Sequence, residues 1–280
     1  MIPAMKIAVT GAAGRLGSVV CSTLAEAGHT IMATDLRLNR ESGIRIEVAN
    51  LLDREGCYRL VEGANVLVHL GNYPNVFSRP PAQIYSENAA MNANIFQAAC
   101  EAGVKKWIYS SSIQAMRGTR TITQNRPSSL AYLPVDGDAP VNPSNAYGLS
   151  KAAAEQMMQY YAGAEDITAI SLRLPMLLNL EEKPLAKTTS AQPYPYPDEA
   201  FAYLDFRDAA SLIEAIIRSP LSGYKCYMPV AKENLMRRPG YDLIPEYYAN
   251  VSLRKPLEQI DQLVDISAIE RETGWSPKYL

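Results

Sequence analysis

The stretch Lys6-Ile7-Ala8-Val9-Thr10-Gly11-Ala12-Ala13-Gly14-Arg15-Leu16-Gly17 decides the fold. Lys6–Thr10 is short, apolar and rich in β-branched residues, the pattern of a buried strand. The glycines follow at once with the spacing G-x-x-G-x-x-G, and a helix predicted near Leu16–Ala27 follows them, closed by Gly28. Glycines in such a turn let backbone N–H groups approach a pyrophosphate, whose charge is favoured at a helix N-terminus. An ordinary strand–helix turn can carry the same residues, so the motif gains its force from its setting.

The setting repeats the same alternation. Strands are predicted at Thr30–Thr34, Ile44–Val48, Val66–Leu70, Trp107–Ser111 and Thr168–Leu172. Helices are predicted at about Arg54–Val61, Ile84–Ala102 and Ala146–Tyr161. Strands that are apolar throughout and separated by helices imply a parallel sheet covered on both faces, an α/β doubly wound sheet of Rossmann type. After Pro175 the pattern breaks into proline-rich text, with helices expected only at Arg207–Arg218 and Ile266–Thr273. Two lobes are expected: a dinucleotide-binding lobe over 1–174 and a smaller substrate lobe over 175–280, with 205–220 packing back on the first.

Bulk properties narrow the function. A formal charge of −2 and scattered charges leave no basic footprint for nucleic acid or an anionic membrane. The four cysteines, Cys21, Cys57, Cys100 and Cys226, are far apart in apolar contexts, which favours buried thiols over disulfides or ligands. With only His29 and His69, a histidine-based zinc site or a Ser-His-Asp triad is not expected, and no metal is assigned. No apolar run is long enough to span a bilayer, and the start lacks the apolar core of a signal peptide. A cytoplasmic protein is expected.

Asp35 ends the second strand, near the distance at which a carboxylate binds adenosine ribose hydroxyls and repels a 2′-phosphate. NAD is therefore expected over NADP, with Arg15 and Arg37 nearby working in the opposite sense. Asp53 reads equally as an adenine contact or as the N-cap of the helix that begins at Arg54. In Asn145-Ala146-Tyr147-Gly148-Leu149-Ser150-Lys151, Tyr147 and Lys151 stand one helical turn apart on one face. A tyrosine is a poor base at neutral pH, and a nearby ammonium stabilises its phenolate. Ser110, Ser111 and Ser112 end the fifth strand, where a hydroxyl can meet a substrate oxygen and the Tyr147 phenol; for Ser110 and Ser111 a polar strand end is the plainer reading. Asn88, Asn92 and Asn94 are poor helix formers, and three at this spacing suggest that some are buried and hydrogen-bonded.

Taken as an ordered set, these residues make the chain similar to the extended short-chain dehydrogenase/reductase family, also called the NAD-dependent epimerase/dehydratase family. The matching text is T-G-A-A-G-R-L-G at 10–17, H-L-G at 69–71, E-N-A-A-M-N-A-N at 87–94 and V-K-K-W-I-Y-S-S-S at 104–112. It continues with N-A-Y-G-L-S-K-A-A-A-E at 145–155, R-D-A-A at 207–210 and the closing T-G-W-S-P-K-Y. The resemblance implies Tyr147 as acid/base, Lys151 as its pKa modifier and ribose ligand, and Ser112 as the third polar member. It implies a cofactor site of Gly11, Gly14, Arg15, Leu16, Gly17, Asp35, Asp53, Leu70, Gly71, Asn88, Ser110 and Lys151. It also implies a homodimer through the helices at 84–102 and 146–161.

Departures from the family pattern bear on the substrate. Dehydratases of the family carry an Asp-Glu pair after the catalytic hydroxyl residue, whereas Ile113-Gln114 follows Ser112 here. Many nucleotide-sugar members have an arginine where this chain has Phe201, so a diphosphate would lose a cation there. The 117–145 segment is long and rich in Pro, Ser and Asn, which suggests a lid over a smaller substrate.

The leading expectation is an NAD-dependent oxidoreductase. It would transfer hydride between nicotinamide and a secondary alcohol or hemiacetal carbon of a small sugar, sugar acid or polyol, and in size and in the missing arginine it looks like the uronate dehydrogenases. The alternatives are a nucleotide-sugar epimerase with tightly bound NAD and, as a minor one, a non-catalytic NAD-sensing protein. Arg173, Asn179, Arg207 and Tyr241 are candidate substrate contacts that read equally as structural.

Overall fold

The computed structural model describes residues 3–38, 43–116, 127–180 and 197–279. Eleven strands are described: β1 (Lys6–Thr10), β2 (Thr30–Asp35), β3 (Ile46–Val48), β4 (Val66–His69), β5 (Lys106–Ser112), β6 (Tyr132–Leu133), β7 (Thr168–Leu174), β8 (Met176–Leu178), β9 (Tyr203–Asp205), β10 (Tyr224–Tyr227) and β11 (Ser252–Leu253). The helices are α1 (Arg15–Glu26), α2 (Arg54–Val61), α3 (Pro81–Glu101), α4 (Ala146–Ala164), α5 (Phe206–Arg218), α6 (Gly240–Tyr247) and α7 (Ser267–Thr273).

Seven of the strands form one parallel sheet in the order β10-β7-β5-β4-β1-β2-β3. The chain order reverses between β1 and β4, the switch point at which open α/β sheets bind ligands beyond their carboxyl ends. The fold is therefore the Rossmann-like doubly wound sheet expected from the alternation of elements. No described helix is long and apolar enough to cross a membrane.

Helix boundaries follow local chemistry. Pro81 opens α3, and Gly103, with φ of 75°, turns the chain away after it. At α5 the Asp205 carboxylate accepts a hydrogen bond from the Arg207 N–H at 2.8 Å. Its apolar residues Ala209, Leu212, Ile213, Ile216 and Ile217 share one face and are buried with Val20 and Leu24 of α1.

Besides the short pairs β6–β11 and β8–β9, two longer elements escape the sequence reading. β10 is a seventh strand at the sheet edge, where the sequence Tyr-Lys-Cys-Tyr is only half buried and lacks the all-apolar signature of the inner strands. α6 lies in a stretch expected to be irregular, and Pro245, a residue that disfavours helix interiors, stands inside it.

A second hydrophobic cluster joins Leu130, Leu133 and Val135 to Phe201, Met228, Leu243, Tyr248 and Leu263. The pairing of β6 with β11 ties the 127–145 stretch into it. Residues 117–126 of the expected lid, and 181–196 of the proline-rich segment, lie outside the described residues.

Candidate active site

The glycine loop leaves β1 at the switch point. Gly11 has φ of 71°, and a Cβ there would lie 2.8 Å from the backbone carbon of Leu70. At Gly17 a Cβ would stand 2.1 Å from the Gly11 carbonyl oxygen, so no larger residue lets α1 close on the loop. Gly14 and Arg15 are exposed at the mouth of this turn, with Leu16 half-buried behind them. The Asp35 carboxylate lies against the same loop, accepting the Ala13 N–H at 3.0 Å through Oδ2 and the Arg37 N–H at 3.2 Å through Oδ1. Loop N–H groups and an acid at the end of β2 thus lie together at the carboxyl end of the sheet, the arrangement that suits a dinucleotide.

Asp53 occupies the N-cap position of α2 without a side-chain cap hydrogen bond, and it is exposed. Leu70 and Gly71 continue from β4 beside the glycine loop, their N–H groups donating to the Thr10 hydroxyl at 3.2 and 3.1 Å.

Tyr147 and Ser112 are brought together by a close approach of α4 to the end of β5. Asn145 caps α4 by accepting the Gly148 N–H at 2.8 Å, and its Nδ2 donates to Gln114 at 3.0 Å. A Cβ on Gly148 would fall 2.2 Å from the Gln114 carbonyl oxygen, so the approach needs glycine. Ser112 is hydrogen-bonded to the Tyr147 phenol and accepts the Gln114 N–H at 3.2 Å. Lys151 lies behind the phenol, its Nζ 5.5 Å from the ring centre of Tyr147 and 4.8 Å from that of Tyr109. It donates to the Ser110 carbonyl at 2.7 Å and to Asn72 Oδ1 at 3.0 Å.

Burial sets the charges here. It pushes the Tyr147 phenol up to about 12, with the Ser112 hydrogen bond pulling it back and the charge of Glu199 adding to the rise. Burial also brings Lys151 down to about 7, while the Glu155 carboxylate pulls it upward. Both groups thus resist the ionised forms, and a further positive charge at the phenol would favour its ionisation.

Asn92, expected to be buried and hydrogen-bonded, is so, and it works with Asn72 and Tyr109, which were not singled out from the sequence. Asn92 Oδ1 can only accept, so His69 Nε2 carries the proton of their 2.8 Å bond, and His69 Nδ1 accepts the Thr10 hydroxyl at 2.7 Å. Asn92 Oδ1 also receives Asn72 Nδ2 at 2.9 Å, and the Tyr109 hydroxyl donates to Asn72 Oδ1 at 3.0 Å. A buried polar chain therefore runs from Thr10, just before the glycine loop, to Lys151. Its sequence signals were the asparagines of α3 and the matched stretches that hold Thr10 and His69.

Asn88, expected near the cofactor, is fully buried. Its Oδ1 accepts the Tyr73 N–H at 2.8 Å and its Nδ2 donates to Ser150 at 3.1 Å, so it binds α3 to α4. Ser110 directs its hydroxyl to the His69 carbonyl at 3.3 Å and offers its own carbonyl to Lys151.

Burial lowers the His69 imidazole to about 3, the Asn92 hydrogen bond opposing the fall and the charge of Lys151 adding to it. Below the ordinary value of about 6.5 the unfolded chain binds a proton that the folded chain refuses, so stability falls as pH drops through that window. The loss should reach about 2 kcal/mol at pH 5. Denaturant unfolding at pH 7 and pH 5 checks this: His69→Gln should flatten the difference by that amount, and an equal loss in both proteins would refute it.

Arg173 is locked in a bidentate pair with Glu155 at 3.0 and 2.8 Å, and Ser111 donates to the same carboxylate at 2.5 Å. Arg207 pairs with Asp205 at 2.9 Å and stacks on Tyr279 at 3.7 Å. Both arginines therefore have structural partners, and Tyr241 lies on α6 and is exposed. A cleft of about 610 Å³ lies along β10 and is lined by Glu155, Arg173, Tyr224 and Cys226, with no residue of the glycine loop.

With this geometry, comparison with known proteins is informative. The family model described as "NAD dependent epimerase/dehydratase family" matches residues 7–184. The chain is 27% identical over 226 residues to a uronate dehydrogenase of Pseudomonas syringae pv. tomato, covering 79% of this chain and 73% of that protein. It is 29% identical over 185 residues to an L-arabinose 1-dehydrogenase (NAD(P)(+)) of Haloferax volcanii, covering 63% of this chain and 69% of that one. A UDP-glucose 4-epimerase from Bifidobacterium longum, solved with NAD+ and UDP, superposes with a TM-score of 0.71 at 17% identity, covering 98% of this chain and 94% of that one. The glycine loop falls inside the matched residues, as does the Tyr147–Lys151 helix, and the chain thus belongs to the NAD-dependent epimerase/dehydratase family as an enzyme of the NAD-dependent dehydrogenase or epimerase type.

Proposed function

We propose that this enzyme is an NAD-dependent dehydrogenase acting on a secondary alcohol or hemiacetal carbon of a small sugar, sugar acid or polyol. The observation that carries the proposal is the meeting of Tyr147, Ser112 and Lys151 at the carboxyl ends of the strands beside the glycine loop. The glycine-loop N–H groups would hold the pyrophosphate, Asp35 the adenosine ribose, and Lys151 the nicotinamide ribose. When bound, NAD supplies the hydride acceptor and a positive ring. Tyr147 acts as the phenolate, which the Ser112 hydrogen bond and the Lys151 ammonium would stabilise, and it takes the proton of the substrate hydroxyl as the hydride leaves the same carbon.

A small substrate is supported by the position of Phe201. Its ring packs on Tyr247 at 5.1 Å and Tyr248 at 6.1 Å in the second cluster, so this position offers no cation to a nucleotide diphosphate. The curated relatives named above are sugar dehydrogenases, which agrees with that reading.

The test is NADH formation at excess NAD with sugar acids, aldoses, polyols and secondary alcohols. Net NADH with one group identifies the substrate class. Silence across the panel, with NAD retained by the purified protein, would favour a nucleotide-sugar epimerase instead.

The preference for NAD rests on Asp35. Asp35→Ala should weaken NAD more than NADP, measured as the two dissociation constants. Equal losses would mean that Asp35 does not read the ribose.

A further inference from the structure

Beyond β4 the chain turns at Gly71-Asn72, and the Asn72 side chain is held from four sides. Its backbone N–H donates to the Leu70 carbonyl at 3.0 Å, closing a tight turn directly after the strand. Its Nδ2 donates to the Gly71 carbonyl at 3.0 Å and to Asn92 Oδ1 at 2.9 Å. Its Oδ1 accepts the Tyr109 hydroxyl and the Lys151 ammonium, each at 3.0 Å. Chemistry allows this orientation alone. A backbone carbonyl can only accept and an ammonium can only donate, so a turned amide would set N–H groups against Lys151 and oxygen against Gly71.

The turn is itself fixed to the glycine loop. A Cβ on Gly71 would stand 3.0 Å from Thr10 Oγ1 and 3.2 Å from the Gly11 nitrogen, and the Gly71 N–H donates to the same Thr10 hydroxyl. Asn72 therefore holds one place between the glycine loop and α4.

Lys151 is 2% exposed, so little water shares its charge. Of its three N–H donors, one meets the Ser110 carbonyl at 2.7 Å and one meets Asn72 Oδ1. Those two bonds fix the direction of the third, the donor assigned above to the nicotinamide ribose. The Ser110 acceptor belongs to the backbone and survives any side-chain change, whereas the Asn72 acceptor does not. We propose that Asn72 is a positioning residue for the reaction, its Oδ1 fixing the Lys151 ammonium where it supports the Tyr147 phenolate. This inference rests on the reading of Tyr147 and Lys151 above and is independent of which sugar is oxidised.

The titratable groups that face Lys151 are Tyr147 and Glu155 on its own helix, His69 on β4 and Tyr109 on β5. Burial keeps His69 neutral and Tyr109 protonated at working pH, and the Glu155 charge favours the ammonium. Removing the Asn72 oxygen therefore lowers the pH at which Lys151 loses its proton, and a carboxylate in its place raises it.

The experiment compares Asn72→Leu with Asn72→Asp in the full chain, both checked first by thermal unfolding. Both lose the Nδ2 donors to Gly71 and Asn92, but only Asn72→Leu loses the oxygen that meets Lys151. With a sugar that yields NADH in the panel above, Asn72→Leu should lower kcat by about 10- to 100-fold, as the loss of one hydrogen bond to a charged group predicts. KM for the sugar should stay nearly unchanged. The alkaline limb of the pH–rate profile should move to lower pH in Asn72→Leu and to higher pH in Asn72→Asp. Limbs that move together, or that stay at the wild-type position, overturn the inference, because Asn72 would then act only through its Nδ2 bonds.

If no sugar yields NADH, the dehydrogenase reading fails by itself, and denaturant unfolding still tests Asn72. At pH 6, below the value of about 7 to which burial brings Lys151, the ammonium is charged. There Asn72→Leu should lower the unfolding midpoint more in the wild type than in Lys151→Met, because only the former leaves a buried ammonium short of an acceptor. Equal losses in the two backgrounds would refute the role.

Discussion

Tyr147→Phe should lower turnover by about two to four orders of magnitude, the usual reach of general acid–base catalysis, with NAD affinity nearly unchanged. The substitution removes only the phenol oxygen. The ring stays buried in the first turns of α4, whose start is fixed independently by the Asn145 cap and the close approach at Gly148. Lys151 keeps its bonds to Ser110 and Asn72, and Ser112 still accepts the Gln114 N–H, so the cofactor cleft retains its shape. Turnover measured by NADH absorbance and affinity measured by fluorescence titration separate the two effects. A near-normal rate would remove Tyr147 from the mechanism, and a large loss of NAD affinity would make its role structural.

The parts of this enzyme that could be read from the sequence are those in which neighbours along the chain are also neighbours in space. The glycine loop is such a case: strand, turn and helix start fall within Lys6–Gly17, and each glycine answers to a contact made inside that unit or with the adjacent Leu70. Tyr147 and Lys151 are another, one helical turn apart. The parallel sheet was legible because its inner strands are apolar on both faces.

What remained hidden depends on pairing across the sheet. Nothing local announces that His69 will sit between Thr10 and Asn92, or that Asn72 will hold Lys151. The turn at Pro197–Glu199 lies in proline-rich text, and it is held by Ser128 and Ser129 on Asp198 and by Tyr248 on the Pro197 carbonyl, each about 50 or more residues away. Phe201 was noticed for the arginine it lacks, whereas its fixed packing against two tyrosines is a tertiary fact. β10 pairs with β7 from the far side of the proline-rich segment, and its half-exposed edge position erases the pattern that marks an inner strand.

The largest stability effect is expected at Arg173, one residue from the end of β7. Its guanidinium and the Glu155 carboxylate are each only 5% exposed, and the carboxylate also receives the Ser111 hydroxyl. Burial disfavours the charge on Arg173, but the Glu155 hydrogen bonds together with the charges of Cys226, Glu155 and Tyr224 more than restore it, so its pKa is raised. Arg173→Met leaves Glu155 as a buried carboxylate without its cation and should cost about 3–5 kcal/mol, whereas removing both charges is often far less damaging. Arg173→Met combined with Glu155→Gln should therefore recover much of the loss, an antagonism that a double-mutant cycle of denaturant unfolding resolves directly. The same pair reaches the chemistry, because the Glu155 charge supports protonation of Lys151 one helical turn away. Glu155→Gln alone should lower the pH at which Lys151 loses its proton, leaving the Tyr147 phenolate less supported at neutral pH. If the single and double variants unfold at the same denaturant concentration, the ion pair is not what Arg173 contributes, and its bond to the Ala139 carbonyl at 2.5 Å, lost in both, becomes the better explanation.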